Sequence, residues 1–194
     1  MVRMLFLRRL FEINYIVVCI INPTHSHAMN APVKVYVRSD KNQNGDGTTY
    51  KTNAGIPFEC VEFVRRYFMQ TRGLTFPSVV DATDMFYRMH ELVPLKSSQS
   101  HVSLQTCIYP YVRPALYYLR PGTMLFWAPK PTDDLKYGHV ALVLEADAEH
   151  VVVAQQNKSP PIQVHDTRKL FNAINSPNSA YLGVKMVLQI YEKR

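Results

Sequence analysis

Three cysteines and seven histidines carry most of the reactive chemistry in this chain. Cys60 opens an amphipathic run, Cys60 to Arg72. In it Val61, Val64 and Phe68 fall on one face with Phe63 and Tyr67 beside them, while Glu62, Arg65 and Arg66 fall elsewhere. Pro57 upstream and Gly73 downstream bound the run as a helix. A thiol at a helix start meets the positive end of the helix dipole, which favours thiolate. The unpaired N–H of the same residue can receive the oxyanion that forms in acyl transfer. Two other readings of the position stay open: a buried structural cysteine, and one half of a Cys60–Cys107 disulfide.

A nucleophilic thiol needs a base, and the base needs a third group to orient it. His139 is the histidine placed for this, at the start of a β-rich run and directly after Gly138. A glycine there suggests close approach by another group. His25 and His27 lie near the N-terminus, His150 at a hairpin tip, and His90, His101 and His165 at a helix end or in polar surroundings. The runs His139 to Glu145 and Val151 to Gln156 read as a hairpin. On one strand His139, Ala141 and Val143 share a face, and on the other Val153, Gln155 and Asn157 do. Gln155 or Asn157 meets His139 only if paired residue numbers have an even sum, which asks for an odd loop. A four-residue loop would bring Gln156 opposite His139 instead.

These residues resemble the CHAP superfamily of cysteine, histidine-dependent amidohydrolases and peptidases, above all the amidase domain of glutathionylspermidine synthetase/amidase. Three blocks carry the likeness. The first is Cys60-Val61-Glu62-Phe63-Val64-Arg65-Arg66-Tyr67. The second is Arg120-Pro121-Gly122-Thr123-Met124-Leu125-Phe126-Trp127, followed after a loop by Gly138-His139-Val140-Ala141-Leu142-Val143. The third is Val152-Val153-Ala154-Gln155-Gln156-Asn157. Together they anchor roughly residues 33–190.

The resemblance implies Cys60 as nucleophile, His139 as base, Gln155 and Asn157 as their polar partners, and Arg65 and Glu59 at the substrate. It implies no cofactor and no metal. In relatives the position of Gln155 is usually Glu and that of Glu59 usually Gln. An amide still accepts the imidazole N–H but stabilises imidazolium less than a carboxylate does, and a carboxylate beside the sulfur raises the thiol pKa. The implied reaction is cleavage of an amide through a thioester, on a small peptide-like amide or on peptidoglycan. The alternative is a catalytically silent binding module.

The elements that must position these residues read as helices first and strands after. A short strand, Val33 to Val37, precedes a turn-rich polar run, Ser39 to Gly55. The Cys60 helix is followed by a second, Asp81 to Glu91, with Met85, Met89 and Leu92 at core spacing, ended by Pro94; Lys96 to Gln105 reads as a loop. Gly122 to Trp127, the hairpin and Tyr181 to Ile190 supply strands. The expected fold class is α+β, a papain-like CHAP/NlpC-type arrangement of N-terminal helices packed on an antiparallel half-barrel.

The chain has 194 residues, enough for one cored domain, which is placed at 29–194. Residues 1–28 resemble a secretory signal: Arg3, Arg8 and Arg9, then an apolar stretch from Tyr15 to Ile21, then Ser26-His27-Ala28. An uncleaved interfacial segment, or an extension upstream of a start at Met29, are the other readings. The location is extracytoplasmic on the first reading and cytoplasmic otherwise. The apolar stretch is too short for a stable membrane span, which needs about 20 residues. The net charge of +7 suits an anionic partner, but the basic residues are scattered without the aromatic interleaving of a nucleic-acid groove. No Cys-x-x-Cys or His-x-x-x-His spacing offers a zinc site.

Overall fold

A computed structural model describes residues 15–19, 32–36, 55, 59–96, 100–107, 119–130, 135–176 and 178–187, for residues 15–19, 32–36, 107 and 186–187 the backbone alone. Strands β1 (Tyr15–Cys19) and β2 (Pro32–Tyr36) pair antiparallel, Val17 opposite Lys34. The rest of the signal-like segment, including Ser26-His27-Ala28, and the polar run up to Ala54 lie outside the described residues.

Helix α1 (Cys60–Arg72) has the bounds the sequence predicts. Gly73 stops it in the left-handed conformation, φ 62°, with its N–H on the Phe68 carbonyl. Its buried stripe is Cys60, Phe63, Val64, Tyr67 and Phe68, the i, i+3, i+4, i+7, i+8 pattern of a helix that covers a core. Val61 sits at the margin. After the short strand β3 (Leu74–Thr75) comes α2 (Ala82–Arg88), whose N-terminus is capped by the Asp81 carboxylate accepting from the Asp84 N–H at 2.7 Å.

The second helix is shorter than expected. It ends before Met89, and Glu91–Pro94 is extended as β4, between β3 and β5 (Val102–Cys107). Met85, Met89 and Leu92 are all buried, as their spacing predicts, but Leu92 reaches the core from a strand. The segment expected as loop is also partly a strand: Val102 and Leu104 alternate with Ser103 and Gln105, the period of two that a half-covered strand shows.

Five further strands and one helix complete the described residues: β6 (Met124–Trp127), β7 (His139–Ala146), β8 (His150–Ala154), β9 (Ile162–Asp166), α3 (Thr167–Ile174) and, last, β10 (Tyr181–Val187). Strands β3 to β10 form one sheet in the order β3-β4-β5-β10-β6-β7-β8-β9, every pair antiparallel.

This corrects the expected fold class. The described chain is mainly β, an open eight-stranded antiparallel sheet with three helices, and not the α+β papain-like half-barrel that the resemblance implies. The cause is local: β3, β4, β5 and β9 come from segments read as helix end or loop, or not read at all, and the three helices have only thirteen, seven and eight residues.

Both faces of the sheet are covered at its centre. Along β7, Val140, Leu142 and Leu144 face a core shared with α1 and α2, while Ala141 and Val143 face a second core with Leu170 and Ile174 of α3. Burying each of these aliphatic side chains contributes about 1.5–3 kcal/mol. Among the described residues no helix is long and apolar enough to cross a membrane.

One buried cation opposes this packing. Lys185 on β10 is fully buried; its ammonium donates to Thr106 Oγ1 at 2.7 Å and lies 5.2 Å from the Phe86 ring centroid. Burial pulls its pKa down from 10.5 to about 8. The native state therefore binds fewer protons than the unfolded chain between about pH 8 and 10.5, and stability rises with pH across that window. Lys185→Met is expected to remove this rise and to raise stability at pH 7 by about 2 kcal/mol. Urea denaturation at pH 7 and pH 10 measures both effects.

Candidate active site at the start of α1 and β7

The site is built where the first turn of α1 meets the beginning of β7. The last β7–β8 pair is Leu142 opposite Ala154, so the Val140 amide lies beyond that ladder. With the N–H groups of Val61 and of Cys60 itself, it favours the charged form of the Cys60 sulfur. Cys60 is buried and carries a free thiol, so the disulfide with Cys107 is not formed.

Burial pushes the Cys60 thiol up to about 11 against the pull of the Val140 N–H, and the Glu59 carboxylate adds to the rise. The thiol is neutral at rest. Desolvation outweighs the helix-terminus effect that the sequence suggests would favour thiolate.

His139, beside Val140, is 3% exposed. Its Nε2 lies 3.0 Å from Gln155 Oε1. The Gln155 Nε2 donates to the Pro160 carbonyl at 2.7 Å and to Gln163 Oε1 at 3.4 Å, which fixes Oε1 as the atom facing the ring. A carbonyl oxygen only accepts, so Nε2 carries the proton and Nδ1 is left with its lone pair. The ring is held in the tautomer a base requires. Burial pulls the imidazole down to about 4, opposed by the Gln155 bond and reinforced by the Lys158 charge. Trp127, paired with His139 across β6 and β7, meets the ring in a tilted contact at a centroid distance of 5.4 Å and makes a second tilted contact with Tyr181 at 5.1 Å.

The even register that the hairpin needs is present, by a different device from an odd loop. Ala146 pairs with Val151 and Glu145 with Val152, an odd sum with four residues at the tip. A bulge at Leu144 then shifts the pairing, so that Val143 meets Val153 and Leu142 meets Ala154. Continued, this register sets Gln155 across from Ala141, two residues from His139 on the same face. Gln156 turns to the opposite face.

The remaining candidates fall on the α1 side. Asn157, in the left-handed conformation at φ 64°, donates from Nδ2 to Glu59 Oε2 at 2.8 Å. Glu59 is the residue before α1, and its carboxylate caps nothing in the helix. Arg65 lies over the Phe76 ring at 4.4 Å and donates to the Pro77 carbonyl at 2.9 Å. The structure thus joins Gln155 to His139 and Asn157 to Glu59.

Sequence reasoning missed a buried polar group beside them. Glu62, only 3% exposed, accepts from Arg66 Nε at 2.6 Å and from Gln156 Nε2 at 2.9 Å, and Arg66 Nη2 donates to Gln156 Oε1 at 3.1 Å. The one sequence cue is the Glu62–Arg66 spacing of four, which places two opposite charges together on a helix. Their distant partner has no local signature.

Gly138 meets the close approach its position suggests. At φ 71° an added Cβ would lie 2.7 Å from Thr83 Oγ1 and 3.0 Å from the Trp127 carbonyl oxygen. Thr83 can rotate, but the carbonyl belongs to the β6 ladder. Gly138→Ala is expected to cost about 2–4 kcal/mol from backbone strain and displacement together, read as a fall in the denaturation midpoint.

Among the described residues no group of three or more His, Cys, Asp or Glu is placed to hold a metal ion. No family model matches this chain, and no curated protein matches it.

Proposed function

We propose that this chain is a cysteine-dependent amide hydrolase with the chemistry of the CHAP enzymes its motifs resemble. The observation that carries the reading is the meeting of a free thiol at the start of α1 with the amide of the residue after His139, whose Nε2–H is held by Gln155. In the proposed reaction Cys60 Sγ attacks the amide carbonyl carbon while its proton passes to His139 Nδ1. The imidazolium then protonates the departing amine, and water hydrolyses the thioester with His139 again as base. The first backbone bond of α1 runs from the Phe63 N–H to the Glu59 carbonyl, so the Cys60 N–H has no intrahelical partner and lies beside its own sulfur, where the oxyanion would form.

A neutral pair is the resting state, with the thiol near 11 and the imidazole near 4. His139 therefore acts as a general base during attack rather than as the cation of a preformed ion pair. The same two values favour one second reading, a binding module that no longer turns over. Small peptide-like amides of the glutathionylspermidine type and peptidoglycan are the two substrate classes, and Arg65 beside Phe76 is the candidate contact for a substrate carboxylate.

The test is incubation of the purified protein with a peptide chloroacetamide, followed by peptide mass spectrometry. Covalent adduct on Cys60 that is lost in Cys60→Ala and suppressed in His139→Ala supports the enzyme. Absence of adduct, with bound peptide released intact, sinks it in favour of the binding module. Release of free polyamine against clearing of a cell-wall zymogram then separates the substrates.

A further inference from the structure

Three consecutive amide side chains, Gln155, Gln156 and Asn157, each make a bond that bears on the candidate pair, and they point in different directions. Gln155 holds the imidazole of His139. Gln156, fully buried, points the other way, as neighbours in an extended chain do. Its Nε2 donates to the backbone carbonyl of Glu59 at 3.0 Å and to Glu62 Oε2 at 2.9 Å, and its Oε1 accepts from Arg66. Glu59 is bonded to Cys60 through that same carbonyl carbon. Asn157 holds the Glu59 side chain.

We propose that Gln156 is a positioning residue: with its two neighbours it forms a rigid spacer that fixes the separation of the Cys60 sulfur from the His139 ring. The proposal rests on the reading of Cys60 and His139 as nucleophile and base, and it adds the element that holds them in register. The physical reason is that the pair sits on two unconnected elements, a helix start and a strand start. Packing of apolar side chains is non-directional and does not by itself set such a distance to a fraction of an ångström. Hydrogen bonds do. One tripeptide bonded to both elements ties the base to the backbone atom next to the nucleophile. An error of 1 Å in such a spacing costs about 100-fold in rate.

Gln156 bonds to the Glu59 carbonyl and to Glu62, so its effect is transmitted through Glu59 and the first turn of α1. The bonds to Glu62 and Arg66 hold the amide so that its hydrogen bonds keep their direction. A spacer of this kind also explains why three polar side chains follow Ala154 where β8 leaves the ladder with β7.

The experiment measures the rate of Cys60 alkylation by iodoacetamide from pH 5 to 10 in the full chain. Wild type, Gln156→Met, Gln156→Asn, His139→Ala and the double variant Gln156→Met/His139→Ala are compared. Gln156→Met keeps the length of the side chain and removes its bonds; Gln156→Asn keeps the amide and withdraws it by one methylene, covering the case in which the first variant does not fold.

The expected result is a tenfold or larger fall at pH 7 for either variant, with a profile that moves toward that of His139→Ala. In the His139→Ala background the same change is expected to alter the rate less than about twofold, because there is no longer a spacing to lose. A lowered melting temperature with the wild-type profile kept, or an equal tenfold fall in both backgrounds, would overturn the proposal and leave Gln156 a residue of stability alone. A wild-type profile that already coincides with that of His139→Ala would overturn the reading of the pair itself, an outcome distinct from either.

Discussion

His139→Ala is expected to slow acylation of Cys60 by an amide-derived electrophile at least 1,000-fold at pH 7. With the thiol near 11, the fraction present as thiolate at pH 7 without a base is on the order of 10⁻⁴. A neutral thiol is a poor nucleophile, so attack depends on removal of the proton as the bond forms. General base assistance contributes about 10²–10⁴-fold, and loss of the oriented ring also costs the proton delivered to the leaving amine.

The pH dependence has a definite sign. His139 accepts a proton only while neutral, so the rate is expected to hold steady through the neutral range and to fall as pH drops through about 4. Stability moves the same way. The folded imidazole titrates near 4 and an unfolded one near 6.5, so the unfolded chain binds more protons between these values and the fold weakens as pH falls from 6.5 to 4. The size of that loss is about 3 kcal/mol.

Gln155→Glu should reverse the trend, because a carboxylate stabilises the imidazolium that an amide stabilises poorly; its acid limb is expected to move upward. Stopped-flow labelling against pH in the three proteins checks the set. An His139→Ala protein that labels at the wild-type rate removes the base from the mechanism.

The residues that name the candidate pair were legible because each sits on a locally determined element. Pro57 and Gly73 delimit α1 from sequence, and a uniformly apolar run after Gly138 can hardly be anything but a buried strand. The register was not legible. The bulge that brings Gln155 to the side of His139 lies at Leu144, inside a run of buried aliphatic residues where one extra residue leaves no compositional trace.

The fold class failed for a similar reason. Met85, Met89 and Leu92 carry helical spacing and are all buried, yet the chain leaves the helix between Met85 and Leu92, because Glu91–Pro94 completes a ladder with Leu74–Thr75 and Val102–Ser103. Partners so separated along the chain are what a local reading cannot see. The segment Ile162 to Ile174, not assigned from sequence, alternates as a strand and then supplies an Asp166 cap for α3, signals that are plain once the Pro160-Pro161 pair is read as a turn.

Glu62 shows where local periodicity misleads in the opposite direction, and it carries the second large effect. Its place among the arginines of α1 reads as solvated, but it is buried and is the acceptor on which Arg66 and Gln156 converge. Glu62→Ala is expected to destabilise the protein by about 3 kcal/mol. The cost has three parts: an Arg66 guanidinium left largely enclosed without its carboxylate, a Gln156 N–H left without its acceptor, and a cavity where the carboxylate stood.

Substitution of both ends should cost less than substitution of one. In Glu62→Leu/Arg66→Met the buried charge is gone along with its partner, and apolar side chains of similar size fill the same space beside Gln156. Urea denaturation of the two single variants and the double variant closes the cycle. A double variant less stable than Glu62→Ala would mean that the ion pair itself, and not the guanidinium deprived of its carboxylate, is what the fold depends on at this position.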